Sequence, residues 1–319
     1  AAQAAPADPY LWLEDVEGQR ALDWVRAENA RSLPVLENDP RYPHLLDAAM
    51  QVAQSHDRLA LGQVQDGFLY NFWQDEGHVR GIWRRATLAS YASGHPRWQT
   101  MLDVDALATA EHANWVWEGA DCDPSGARCM ISLSNGGLDA NTEREFDIAS
   151  KSFVADGFVV PEAKSNVTWV DRNTLLVATN WGEGSLTQSG YPFILKRWQR
   201  GTPLSSAQEV MRGHASDVSI QPFTLEDVDG STVNIASQGE TFFESVYSRV
   251  NANGVERLNL PRKSNIRGLF HGRLIMTLEE AWTVGGQTYP NGTLVAVALA
   301  SAAQAAPSIE VLVTPGPRQ

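Results

Sequence analysis

Basic residues are scarce in this chain, cysteine is nearly absent, and no long apolar run occurs. Each shortage excludes something. Lys and Arg number 25 against 38 Asp and Glu, a net charge of −13, which repels phosphate backbones and anionic headgroups. No basic patch offsets it, so nucleic acid is not an expected partner. No run of roughly 18 apolar residues is present, so no helical membrane span is expected. Two cysteines without a neighbouring histidine are too few ligands for a metal site.

Catalytic motifs are missing as well. Ser132 stands where a G-x-S-x-G elbow in "SLSNGG" would need its first glycine, and "GSLTQSG" has the wrong spacing. Neither H-E-x-x-H nor G-x-x-x-x-G-K-[ST] occurs. The seven histidines (His44, His56, His78, His95, His112, His214, His271) are scattered, and none sits in a motif that pairs a nucleophile with a base and an orienting carboxylate. "EDVDG" at 226–230 runs out of calcium ligands after Asp229 and reads as a turn. The acid pairs Glu143/Glu145 and Glu279/Glu280 read as solvated strand ends. No motif calls for a metal or an organic cofactor, and no catalytic residue is expected within this stretch.

What is present divides by texture. The 319 residues, 43% apolar with 11 Trp, suffice for one large all-β domain and an accessory segment. Residues 1–7, AAQAAPA, read as a disordered tail: the remnant of a signal-peptide cleavage, or an Ala-rich linker. The first reading implies a periplasmic or secreted protein, the second leaves a cytoplasmic one open. Residues 8–58 carry helical spacing: Leu22, Val25, Asn29, Leu33 and Leu36, then Leu45, Leu46, Ala49, Met50 and Ala53. Pro43 suits the first turn of the second helix.

From 59 to 319 short strand-like runs alternate with Gly, Asp, Asn and Pro. Groups of three or four runs open near Phe68, Trp115, Val167, Val218 and Ile266, at steps of 47, 52, 51 and 48 residues. Four strands per step of about 50 residues is the spacing of a β-propeller blade, since one sheet buries its faces only by stacking on others. A sandwich of about 18 or more strands would be unusually large. Five blades end at Val313, and "TPGPRQ" returns no strand to close a ring; a partial propeller is expected. Cys122 and Cys129 in "CDPSGARC" flank a turn. They would face each other across a hairpin, bonded in an exported protein or buried as small apolar side chains in a cytosolic one.

"DPYLWLEDVEGQRALDWVRAEN" at 8–29 resembles the N-terminus of the prolyl oligopeptidase family of serine peptidases, where D-P-Y/F-x-W-L-E-D precedes a helix with W-V-x-x-x-N; Trp24, Val25 and Asn29 fall in place. "SLSNGGLDANTEREFDI" (132–148), "DGFVVPEAKSNVTWVD" (156–171), "GSLTQSGYP" (184–192) and "KRWQRGTPL" (196–204) are similar to the propeller of a bacterial branch of that family. The resemblance implies a seven-bladed propeller over an α/β-hydrolase domain with a Ser, Asp, His triad. The remaining two blades and the triad would lie beyond Gln319. It implies short peptides as substrates, cut after proline, with the propeller as a size filter. Tyr10, Leu11, Trp12 and Trp24 would dock on the catalytic domain, and Phe146 would face substrate.

Two functions follow as expectations. One is the front part of such a peptidase, inactive by itself; the other is a propeller that binds peptides or proteins without chemistry. In the first, the isolated chain exposes an apolar patch around Tyr10, Leu11, Trp12, Trp24 and Val25 and associates through it.

Overall fold

The computed structural model describes residues 8–15, 18–55 and 57–316. The readings placed on residues 1–7 and on His56 lie outside them. By its packing the chain divides into a helical unit running to Leu59, with Asp75–Gly77, and a unit that holds the rest.

The helical unit contains a 3-10 turn, Leu11–Glu14, then α1, Gln19–Glu37, and α2, Tyr42–Ala53. Pro43 sits in the first turn of α2, where its missing N–H costs nothing. Trp12 and Trp24 meet edge to face at 6.4 Å, and the Arg20 guanidinium lies over the Trp12 ring. Little else closes: Ala21 is the one buried residue of α1, and α2 buries none among its described residues.

The other unit is five four-stranded antiparallel blades. Their first strands are Gln63–Gln65, Trp115–Cys122, Asn166–Asp171, Ser219–Glu226 and Ser264–Phe270. Blade 1 therefore opens at Gln63, before the expected Phe68, because Gln-Val-Gln holds a single apolar residue and shows no period. Blade 2 gains a fifth strand, Val159–Ala163, which pairs with its third, Asn141–Asp147. A small hairpin, Trp282–Val284 with Gln287–Tyr289, interrupts blade 5 between its second and third strands.

Strand alternation explains how the blades stack. In Thr174–Ala178, the second strand of blade 3, all five residues are buried. Leu175 and Val177 join a cluster with Met130, Phe158 and Val160 of blade 2. Leu176 and Ala178 point the other way, to Ile220, Ala236 and Val250 of blade 4. Two further clusters join blades 1 to 2 and 4 to 5. Blades 2, 3 and 4 thus each bury two apolar faces, as period-2 side chains on a sheet with neighbours on both sides must.

Polar groups pin the same junctions. The Trp169 indole N–H donates to the Asp121 carbonyl at 2.9 Å, across blades 2 and 3. Thr224 Oγ1 and Asn234 Nδ2 of blade 4 both donate to the Trp169 carbonyl. Asp227, from the "EDVDG" turn, accepts from the backbone N–H groups of His271 and Gly272 in blade 5, so that turn is a blade-to-blade link.

Glu143 and Glu145 are not solvated strand ends: they are 4% and 1% exposed. Glu145 receives two hydrogen bonds from Arg200 of blade 3, at 2.8 and 2.9 Å, and one from the Phe158 N–H. A carboxylate so buried is tolerable because its charge is paired and its lone pairs are occupied.

Candidate functional site

The first two strands of blade 2 pair Trp117 with Leu133 but Gly119 with Ser132, leaving Glu118 as the extra residue of a β-bulge. The bulge changes which face successive residues take. Trp115 and Trp117 before it, and Ala120 and Cys122 after it, all pack toward blade 1. Asp121 is thereby turned to the blade 3 side, opposite Met130. Gly119 has φ +152°, and a Cβ there would meet nothing within 4 Å: the bulge leaves open space where a strand normally carries a side chain.

Two cavities meet at this bulge, sharing Gly119 and Ala120. The first, of ≈ 240 Å³, lies between the first strands of blades 1 and 2. Tyr70, Phe72, Trp83 and Trp117 form its aromatic wall, with Gln63 and Gln65 among its polar lining. Phe72 and Trp117 stack at 5.3 Å and 7°, Tyr70 and Trp83 at 5.3 Å and 29°. Among the described residues no charged side chain lines it.

The second cavity, of ≈ 320 Å³, lies between blades 2 and 3 and is acidic. Burial pushes the Glu143 carboxyl up to about 7; the Ser132 hydroxyl draws it partly back, and the charge of Asp121 raises it further. Burial likewise pushes Asp121 up to about 6, against the Thr168 hydroxyl and the Trp169 N–H. Asp121 Oδ2 is buried without a hydrogen-bond partner. Asn141 Nδ2 donates to Glu143 and to Ser132 Oγ, and Glu118 accepts from Ser134 Oγ at 2.6 Å. Chemically this pocket holds protons and attracts cations near neutral pH. No group of three His, Cys, Asp or Glu among the described residues is placed to hold a metal ion.

The residues singled out from sequence fall elsewhere. Phe146 is fully buried, edge to face with Trp83 and Phe153 in the blade 1–2 core. A ring with no exposed surface does not face substrate, so that expectation is corrected: Phe146 is a core aromatic. Cys122 and Cys129 are bonded across the first hairpin of blade 2. Tyr10, Leu11 and Trp24 are exposed and Trp12 half-buried in the helical unit. The aromatic and acidic pockets were missed. Their one signal in the sequence is the glycine that breaks Trp-Val-Trp alternation in "WVWEGADC", a mark of a bulge.

The family model for the prolyl oligopeptidase N-terminal β-propeller domain matches residues 2–313. An uncharacterized peptidase of Sinorhizobium fredii is 42% identical over 315 residues, covering 96% of this chain and 43% of its own length. An uncharacterized peptidase of Rickettsia prowazekii is 25% identical over 321 residues, covering 95% and 44%. The chain therefore spans under half the length of these curated relatives. Among solved structures, a post-proline cleaving enzyme from Rickettsia typhi shares the fold at a TM-score of 0.85 and 23% identity, over 95% of this chain and 46% of that one.

Proposed function

The chain belongs to the prolyl oligopeptidase family, whose N-terminal β-propeller domain it carries, and from that premise we propose that it is the front part of a serine peptidase that hydrolyses short, proline-containing peptides. The carrying observation is the family match over residues 2–313, joined to relatives of about twice this length that are named peptidases. The chemistry belongs to a Ser, Asp, His triad in a separate hydrolase domain, and the propeller serves as a gate that admits short peptides and excludes folded chains. The blade junctions, each with its own apolar cluster, support such a gate: a filter by size needs a wall that holds its shape.

In this reading the apolar residues of the helical unit have an assigned partner. Tyr10, Leu11, Trp24 and Val25 are exposed and dock on the hydrolase domain. The bonded Cys122–Cys129 pair supports an oxidising compartment, periplasmic or secreted; alkylation of the protein as purified from its source tests that, free thiols counting against export.

The test of the main reading is the intact mass of the natural gene product after treatment with a serine-reactive phosphonate, with peptide cleavage measured against peptide length. One adduct on a chain of about twice 35.0 kDa, with turnover falling as peptides lengthen, is expected. An unlabelled product overturns the peptidase reading and leaves a binding propeller.

A further inference from the structure

We propose that the aromatic cavity between blades 1 and 2 is a peptide subsite of the propeller itself, receiving a proline ring from an extended peptide whose adjoining residue is cationic. Four rings converge on one concave wall of ≈ 240 Å³. Trp83 and Tyr70 are buried, while Trp117 and Phe72 keep part of their surface open. A close-packed interior does not leave such a space unfilled. The bulge keeps it open, since Gly119 offers no side chain and Ala120 only a methyl.

The lining selects the occupant. At ≈ 240 Å³ the cavity is smaller than the roughly 300–1,000 Å³ of pockets for drug-sized ligands, so it takes one or two residues and not a long segment. With no charged group among its lining residues and the negative faces of four rings turned to it, it disfavours anionic side chains. Aromatic walls favour proline-bearing chains in the polyproline conformation, which is already extended and presents its rings to aromatic faces and its carbonyls to donors. The Gln63 amide supplies such a donor, while that of Gln65 reaches the Asp123 carbonyl.

Charge decides the neighbour. Across the shared Gly119 and Ala120 lies the pocket of Glu118, Asp121 and Glu143, so a residue flanking the seated proline meets carboxyl groups. Lysine or arginine is favoured there, and glutamate is repelled. The subsite holds peptide on the propeller. It builds on the reading of peptides as ligands, but its test does not need cleavage.

The experiment is calorimetric titration of the full natural chain, its nucleophile first blocked with the phosphonate, using acetyl-Pro-Lys-Pro-amide and acetyl-Pro-Glu-Pro-amide. If no serine is labelled, the peptidase reading fails and the same titration proceeds on untreated protein. Saturable binding is expected, at least fivefold tighter for the lysine peptide. Ala120→Phe, which fills the cavity, should weaken it about tenfold. Gln63→Ala, an exposed change that leaves folding intact, should weaken it about threefold, and Glu118→Gln should shrink the lysine preference. Circular dichroism and thermal midpoint establish that each variant is folded. Absence of saturable binding, or equal affinity of the wild type and the folded Gln63→Ala and Ala120→Phe variants, overturns the proposal.

Discussion

α1 and the second strand of blade 3 are both rich in apolar side chains, yet they meet opposite fates. α1 leaves Trp24, Val25, Leu33, Val35 and Leu36 exposed, whereas Thr174–Ala178 buries every residue. The strand has a hydrogen-bonded neighbour on each side and a blade against each face; the helix has a short turn and α2. An apolar periodicity is thus a demand for a partner. Repetition of the same blade meets that demand locally, and a helical pair of this size does not.

The contrast is broken most forcefully by removing a buried ring. Trp169→Ala should cost about 4 kcal/mol in urea unfolding, since it opens a cavity and strips the indole N–H from Asp121. A loss under about 1 kcal/mol would show that the blade 2–3 junction relaxes freely. Glu145→Gln comes next, at about 3 kcal/mol, because Arg200 loses its charge partner; the partial exposure of Arg200 keeps the figure at the low end. Denaturation of the single variants and of Glu145→Gln with Arg200→Met gives the coupling, and additive losses would refute the pairing.

A third and smaller effect is a pH dependence. Asp121 and Glu143 hold their protons more tightly folded than unfolded, at about 6 and about 7 against 3.8 and 4.5. Folding therefore takes up protons, and rising pH opposes it. Their contribution is complete below about pH 4 and is lost as pH climbs through 6 to 7. Unfolding free energy should fall by on the order of 2 kcal/mol between pH 6 and pH 8, and Glu143→Gln should flatten that slope. An unchanged slope in the variant would remove Glu143 from the account.

The smallest effect sharpens the comparison from its other side. Leu36→Ala, on the exposed face of α1, should change stability by less than about 0.5 kcal/mol. Trp24→Lys in the 319-residue chain should be equally mild for stability while reducing self-association in sedimentation velocity. Loss of stability comparable to that of Trp169→Ala would mean that the helical face is part of a core.

Legibility in the sequence tracked how local the governing physics is. The five blade repeats were readable because each is built from short alternating runs between turn residues. The start of blade 1 is not legible, because Gln63–Gln65 carries no pattern of its own and is a strand only by pairing with Phe68–Tyr70. Glu143 and Glu145 look in sequence like any pair of surface acids; their burial depends on Ser132 of the adjoining strand, on Phe158 in the loop that follows, and on Arg200 of the next blade. Phe146, assigned to substrate through family likeness, is claimed by Trp83 and Phe153.

The sequence by itself determined the propeller, its count of blades and the helical preface, because spacing of apolar residues and turn formers is a property of the chain in order; the family was carried by the likeness of the string at 8–29. Only the tertiary structure decided where the pockets lie and which acids titrate near neutrality. Those depend on one extra residue at Glu118 that turns Asp121 to the other face of its sheet, and on blades from different stretches of chain meeting there. A one-residue change of register exchanges the two faces of a strand, and composition carries no record of which face a neighbouring blade will cover.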